Sequence, residues 1–501
     1  MNNSRKNKKC KKIKNNSIEK NSLNQQERGN MANKLFGTDG IRGQANSDRL
    51  SVQKVLKLAQ AVGVVFKKTK PVPDGVLKQN NSFSQDMDQK RPVVVVGKDT
   101  RISGDMLEAA LCAGLNSIGY DVYKIGVMPT PAVSSSVPYF KAAFGVMISA
   151  SHNPYADNGI KLFGPDSFKM TDEMISQVEE LFFQESLDAY LAGPDEIGRI
   201  FEKDYSEEYI RRLIHSLGEG ASFKGIKAAV DCANGAQSDL AEKVFRRLGA
   251  EVFVVNNRPT GININEQCGA THPESISKAV TELGVDVGLA FDGDADRLIM
   301  ADETGKVADG DQLIGALALE MQKSGQLSST SVVATVMSNL GLEEELKKHG
   351  LFLQRTQVGE RYVVEKMRQI KAQVGGESSG HLVLLDYTSS GDGLLAALHI
   401  CKAIVDLGKK ASQVMHCFQP FPQVMKNVRA KDKEEVKKIL QSQKVKEALQ
   451  TAQEALDKKG RLIIRESGTE PIIRIMVEAE DAELVESQSS FLFDVMSGEL
   501  S

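Results

Sequence analysis

Three aspartates at alternate positions, Asp292, Asp294 and Asp296, directly follow the apolar run Val285–Phe291, and Arg297 closes the segment. At about 4 Å and an effective dielectric near 20, each like-charged pair costs roughly 4 kcal/mol, so the segment calls for a divalent cation. Donors that are all oxygen select a hard ion such as Mg²⁺. A solvated acidic turn is the plain alternative. An EF-hand also begins this way, because Asp292, Asp294, Asp296 and Glu303 fall at its positions 1, 3, 5 and 12. Arg297 stands where that loop needs glycine, and a strand precedes it, so the calcium reading fails.

Three further loops carry reactive residue types. In Ser149-Ala-Ser-His-Asn-Pro154, Ser151 is a candidate nucleophile and His152 a candidate donor, while a Ser/Asn turn explains the same residues equally well. The G-x-S-x-G spacing of a hydrolase elbow is missing. In Gly375-Gly-Glu-Ser-Ser-Gly-His381, Glu377 and Ser379 suit sugar hydroxyls, with a simple hairpin turn as the alternative. In Arg465-Glu-Ser-Gly-Thr-Glu-Pro471, the amides around Gly468, the hydroxyls of Ser467 and Thr469, and the guanidinium groups of Arg465 and Arg474 form a phosphate cradle. Arg474 also fits an ordinary surface strand. A metal site, a nucleophile, a hydroxyl reader and a phosphate clamp together describe phosphoryl transfer on a phosphorylated polyol.

The elements that must position these loops alternate in type. Val52, Val55, Leu56, Ala59 and Val62 follow helical spacing, as does Met106–Ile118. Val93–Val96, Val122–Ile125, Phe144–Ile148, Ile226–Val230, Val252–Val255, Val285–Phe291, Val332–Val336 and Phe352–Arg355 read as buried strands. Continuous apolar strands separated by helices predict parallel sheets covered on both faces. Short strands over Ala372–Val374 and Leu382–Leu385 flank the sugar loop, and Val424–Val428, Arg461–Ile464 and Ile472–Val477 lie among polar helices. The expected organisation is three α/β domains (31–215, 216–310 and 311–420) and a smaller α+β domain over 421–501, after an arm over 1–30.

Bulk composition agrees. The 501 residues exceed what one core supports, and 41% hydrophobic with 26% charged residues suit a globular enzyme. Net charge is −3, without the basic excess of a nucleic-acid protein. Residues 1–30 hold nine Lys/Arg against two acidic residues, leaving −10 on the remainder. They have the composition of a disordered, solvated arm, with contact to an acidic surface as the alternative. Met31 opens the first domain and is an expected translation start. Pro71 to Lys90 reads as a polar surface insertion. Six scattered cysteines without a CxxC pair point to reduced thiols and a cytoplasmic location, and no apolar run approaches a membrane span.

The motifs Phe36-Gly-Thr-Asp-Gly-Ile-Arg-Gly43, Ser149–Pro154, Asp292–Arg297, Gly375–His381 and Arg465–Pro471, in that order, resemble the α-D-phosphohexomutase superfamily. The first and last motifs are most similar to its glucosamine-phosphate branch. The resemblance implies a four-domain α/β enzyme with one loop per domain facing a central cleft, and a smaller C-terminal domain that rotates on binding. It further implies a phosphoserine at Ser151 that holds Mg²⁺ together with Asp292, Asp294 and Asp296. Arg42 and Lys161 match positions assisting proton transfer, and His381 a histidine lining the cleft. Arg465, Ser467, Gly468 and Thr469 match the loop that grips the non-reacting phosphate, with Arg474, Arg297, Glu377 and Ser379 completing the substrate contacts. The implied reaction interconverts glucosamine 6-phosphate and glucosamine 1-phosphate through a 1,6-bisphosphate, with a hexose 1,6-bisphosphate as activator. Mannose or glucose phosphates, or metal-dependent phosphate hydrolysis, are the alternatives. The expected partner is a small sugar phosphate, without nucleic acid or membrane; the oligomeric state stays open, a homodimer included. Ala295 stands where many relatives carry glycine.

Overall fold

The computed structural model describes residues 35–37, 39–68, 91–467 and 470–500. The basic arm, Thr38, the Pro71–Lys90 segment and the candidate residues Gly468 and Thr469 lie outside the described residues. The chain divides into two compact units, each described by itself. One runs to Tyr209 and includes Asn234–Ser238 and Arg258–Glu266; the other takes the remainder to the C-terminus.

The first unit is built on six strands: β1 (Ile41–Gln44), β2 (Val93–Lys98), β3 (Asp121–Val127), β4 (Phe144–Ile148), β5 (Asp157–Phe163) and β6 (Ile200–Glu202). Their order is β1-β5-β4-β2-β3-β6. Val94, Val96, Phe144, Val146 and Ile148 are fully buried beneath the helices Val52–Lys68 and Gly104–Ser117, whose Val55, Leu58, Val62, Leu111 and Leu115 fill the same core. Phe66 stacks on Phe144 at 4.4 Å. Val52 lies off this stripe and is exposed.

The second unit holds three sheets. The first contains β7 (Lys227–Asp231), β8 (Glu251–Val255), β9 (Val287–Phe291), β10 (Leu298–Asp302) and β11 (Val307–Ala308), ordered β11-β10-β9-β7-β8. The second contains β12 (Ser331–Thr335), β13 (Phe352–Thr356), β14 (Val374–Gly376) and β15 (Leu382–Leu384), ordered β13-β12-β14-β15. Asp309 and Asp392 cap the helices Gly310–Lys323 and Gly393–Leu407 by accepting from the amides of Gln312 and Leu395. The last sheet, β16 (Gln423–Arg429), β17 (Gly460–Glu466) and β18 (Ile472–Ala479), is antiparallel in the order β16-β18-β17. Its core joins Val428, Ile473, Ile475 and Val477 to Val436, Val445, Leu492 and Met496 from helices.

The sheets are mixed, which corrects the expectation of parallel sheets. β2, β3, β4 and β6 pair in parallel, as do β7, β8 and β9, and β12, β13 and β14. β5 returns antiparallel to β4, β10 to β9 and β15 to β14. The physical reason is the shortness of the candidate loops: five to eight residues are enough for a hairpin and too few for a parallel crossover. Each candidate loop is therefore a connection between antiparallel neighbours, β17–β18 included.

Candidate active site

In the first unit, β4 ends at Ile148 and the chain turns through Ser149–Ala156 into β5. Ser151 is fully buried and adopts φ 53°, a conformation costing roughly 1 kcal/mol for a residue with Cβ. Its amide donates to Ser149 Oγ at 2.8 Å, and that hydroxyl donates to Asp99 Oδ2 at 2.7 Å. His152 Nδ1 lies 3.3 Å from Ser151 Oγ. Gly159 lets β5 close over the loop, since a Cβ there would lie 2.5 Å from the Ser149 carbonyl oxygen and 2.7 Å from that of Ile41.

Arg42 on β1 and Lys161 on β5 converge on a residue that motif reading left without a role. Asp39 Oδ2 accepts from Arg42 Nη2 and lies 3.4 Å from Lys161 Nζ; its other oxygen meets Lys169. Arg42 Nη1 reaches Asn153 Oδ1 at 3.4 Å. Asp39 thus gathers three cations, Arg42, Lys161 and Lys169, beside the Ser151 loop.

In the second unit, Asp292, Asp294 and Asp296 fill the β9–β10 connection, all fully buried, with carboxylate oxygens within 4.8 Å of one another. Asp292 Oδ1 accepts from the Arg297 amide at 3.2 Å, and Arg297 Nε lies 3.9 Å from its other oxygen. The β14–β15 loop meets this one: Arg297 bridges to His381, and the Leu298 amide donates to the Gly380 carbonyl at 3.0 Å. His381 Nε2 lies 3.1 Å from Asp296 Oδ1, and its Nδ1 lies 2.9 Å from Glu377 Oε2 and 3.5 Å from Ser379 Oγ. Burial is the largest single effect on His381 and opposes its charge, but the Asp296 charge and the hydrogen bonds to Asp296 and Glu377 together outweigh it and raise the pKa to about 10. Burial is also the largest effect on the Glu377 carboxyl and would raise it, but the His381 hydrogen bond and charge, the Gly359 amide and the Arg297 charge together hold it below the usual range. Three buried carboxylates in one short loop, all offering oxygen, fit a hard divalent cation.

Arg465 and Arg474 face each other directly across β17 and β18, with Ser467 at the start of the loop beyond. Like charges in register destabilise a sheet. Burial first, and then the Arg474 charge, lower the Arg465 pKa, so the pair is suited to an anion.

Profiles of known families cover this chain in four consecutive blocks. Phosphoglucomutase/phosphomannomutase alpha/beta/alpha domains I, II and III match residues 33–189, 207–305 and 309–421, and the C-terminal domain of that family matches 425–495. The chain belongs to the phosphoglucomutase/phosphomannomutase family. Its relatives include the phosphoglucosamine mutase of Gluconacetobacter diazotrophicus, 47% identical over 90% of this chain and 95% of the relative. That of Brucella ovis is 46% identical over 94% and 99%. Among solved structures, a phosphoglucomutase/phosphomannomutase family protein from Burkholderia thailandensis superposes with a TM-score of 0.73 at 20% identity, covering 93% of this chain and 98% of the other. Aspergillus fumigatus N-acetylphosphoglucosamine mutase, in complex with GlcNAc-6P and magnesium, gives 0.58 at 17% identity over 78% and 94%.

In this family member the structure adds residues that motif reading missed. Lys169 joins Asp39, and Glu360 lies with Asp296 and His381 in a second buried group of possible ligands. Asp99 and Arg101, one turn beyond β2, and Asn265 touch the Ser151 loop. The sequence signal available was Gly97-Lys-Asp-Thr-Arg-Ile-Ser-Gly104, polar and glycine-flanked at a strand end. Ala295 adopts φ 56°, so the methyl that replaces the usual glycine is carried in a left-handed conformation. Among the described residues no helix is long and apolar enough to cross a membrane.

Proposed function

We propose that this family member interconverts glucosamine 6-phosphate and glucosamine 1-phosphate through a phosphoserine at Ser151 and a 1,6-bisphosphate intermediate. The observation that carries the phosphoryl-transfer reading is the clustering of like charges. One buried loop holds three carboxylates within 4.8 Å, while Asp39 gathers three cations and Arg465 faces Arg474. The first offers a site for a cation and the others offer sites for the anions that a phosphorylated sugar and a phosphoserine supply. The choice of glucosamine phosphate is supported by relatives at 46–47% identity named phosphoglucosamine mutase.

In the first half-reaction the Oγ–P bond of phosphorylated Ser151 breaks as a new O–P bond forms at the C1 hydroxyl of the substrate, and the hydroxyl proton ends on the freed Ser151 Oγ. In the second, the O6–P bond of the bisphosphate breaks as its phosphoryl group joins Ser151 Oγ, and the serine proton ends on O6. His152 Nδ1, 3.3 Å from Ser151 Oγ, is proposed to hold the proton in passage, and Arg42 and Lys161 to balance the charge on the moving phosphoryl group. Glu377 and Ser379 are proposed to read sugar hydroxyls, with His381 holding the Glu377 carboxylate ionised. Arg465, Arg474, Ser467 and the amides near Gly468 and Thr469 are proposed to grip the resting phosphate. A magnesium ion held by Asp292, Asp294 and Asp296 would neutralise charge at the transferring group. A hexose 1,6-bisphosphate is the proposed priming agent.

The test is isomerisation of glucosamine 6-phosphate by Mg²⁺-loaded protein primed with glucose 1,6-bisphosphate, with glucose and mannose phosphates alongside. A dominant glucosamine rate that Ser151→Ala abolishes is expected. Phosphate release without isomerisation would overturn the mutase reading.

A further inference from the structure

The loop carrying Ser151 is held by two side chains from outside it. The guanidinium of Arg101 is fully buried, and its five N–H groups find five acceptors. Nε donates to Asp99 Oδ2 at 2.8 Å; Nη2 donates to the carbonyls of Ser151 at 2.9 Å and Asn153 at 2.7 Å; Nη1 donates to that of Asp157 at 3.0 Å and to that of Pro154. Asn265 Nδ2 donates to two of the same carbonyls, Ser151 at 2.9 Å and Asn153 at 3.1 Å. The reverse amide orientation would set oxygen against two oxygens, so this one is fixed. Asn265 is 7% exposed, adopts φ 59°, and its own amide oxygen is buried with no hydrogen-bond partner among the described residues.

We propose that Arg101 and Asn265 are positioning residues that pin the backbone of the Ser151 loop, keeping this serine in its left-handed conformation. A loop without them would relax toward negative φ and move Oγ. In a mutase this matters twice per turnover, because the same oxygen must give and recover the phosphoryl group. Asp99 completes the clamp: it orients Arg101 and, through Ser149 Oγ, the Ser151 amide. Asn265 belongs to the segment Arg258–Glu266, which groups with the first unit through the Ile102 amide on the Gly261 carbonyl at 2.9 Å. The inference rests on Ser151 as the phosphoryl carrier.

Asn265→Asp keeps the size and removes both donors; Arg101→Lys is the harsher companion, and Asn265→Asp keeps the test decisive should that variant fail to fold. Hydrogen exchange of the full-length protein over 150–157 reads the clamp without reference to catalysis, and the Asn153 and Asp157 amides should exchange faster. Turnover is then divided by the phosphoserine content of Ser151, measured by intact mass, so that loss of active fraction is cancelled. Misplacing a reacting group by about 1 Å costs on the order of 10²-fold, so kcat per phosphoserine should fall by about that factor with KM unchanged. Unchanged exchange in Asn265→Asp overturns the clamp. Faster exchange with unchanged kcat per phosphoserine overturns the positioning role. A wild-type protein active without phosphate on Ser151 overturns the functional reading on which that role depends.

Discussion

Neutralising one carboxylate of the acidic loop should stabilise the metal-free protein and remove most of its response to magnesium. Asp294→Asn is the informative change because it eliminates two of the three repulsive pairs. The carboxylate oxygens lie within 4.8 Å, so at an effective dielectric of about 20 each pair contributes roughly 3.5 kcal/mol and two contribute about 7. Arg297 beside Asp292 and His381 beside Asp296 already offset part of this, so a net gain of about 2–3 kcal/mol is expected in the metal-free state. For a cooperative unit of a few hundred residues that is a rise in Tm of roughly 5 °C. Magnesium acts oppositely: at a hundred times its Kd it stabilises the wild type by about 2.7 kcal/mol, a gain the variant should largely lose. Thermal melts in EDTA and in saturating Mg²⁺, for both proteins, measure the two effects without any activity assay. A variant that melts lower than wild type in EDTA yet keeps the full Mg²⁺ shift would refute both the repulsion and the ligand assignment.

Three other perturbations test separate parts of the structure. Asp39→Asn should destabilise by roughly 2 kcal/mol, below the usual cost of breaking a buried ion pair because Asp39 is 24% exposed. Since Lys161 is almost fully buried, adding Lys161→Met should recover about half of that loss in urea unfolding, and simple additivity would contradict the pairing. Gly159→Ala should cost about 2–3 kcal/mol, because its Cβ would strike two backbone carbonyls that cannot withdraw without opening the β1–β5–β4 ladder; an unchanged Tm would refute that geometry. Burial, and then the Lys402 charge, depress the pKa of His399 to about 4, below its unfolded value of 6.5, so the unfolded chain binds its proton first as pH falls. Full stability is present above pH 6.5 and about 3 kcal/mol is lost on descending to pH 4; His399→Gln should flatten the Tm profile across that window, and an identical slope would refute it.

Much of this was legible in the chain because apolar runs announce strands. β4 is read to the residue, β13 is read one residue short, the sugar and phosphate loops lie between the strands read on either side, and the Ser151 and acidic loops follow the strands read before them. Strand direction was not legible: periodicity reports which residues are buried and says nothing of which neighbour a strand joins. β5, with Asp157 and Lys161 among its residues, carries too mixed a pattern to announce itself as a strand. The supporting residues were hidden for a different reason. Arg101 and Asn265 donate to backbone carbonyls, and every residue has one, so no pairing of side-chain types betrays them. Asp39 was visible inside its motif, but its three cationic partners at positions 42, 161 and 169 are brought together only by the β1–β5 pairing and the bridge between Phe163 and Lys169.

That each reactive loop is a hairpin connection has a mechanical consequence. A loop between a strand and a crossover helix is anchored by a ladder on one side only, whereas here both ends are fixed by pairs one or two residues away: Phe291 with Leu298, Gly376 with Leu382, Glu466 with Ile473. Ladder hydrogen bonds at both ends limit how far such a loop can move, so positions set by register persist while charged groups come and go. The loop between β4 and β5 is the longest of the four and carries an added clamp, Asp99, Arg101 and Asn265. Gly380 shows the same economy on the acidic side: at φ 95°, a Cβ there would lie 2.5 Å from the Leu298 carbonyl oxygen, so the contact that seats the β14–β15 loop beside the aspartates admits no other residue without displacing β10.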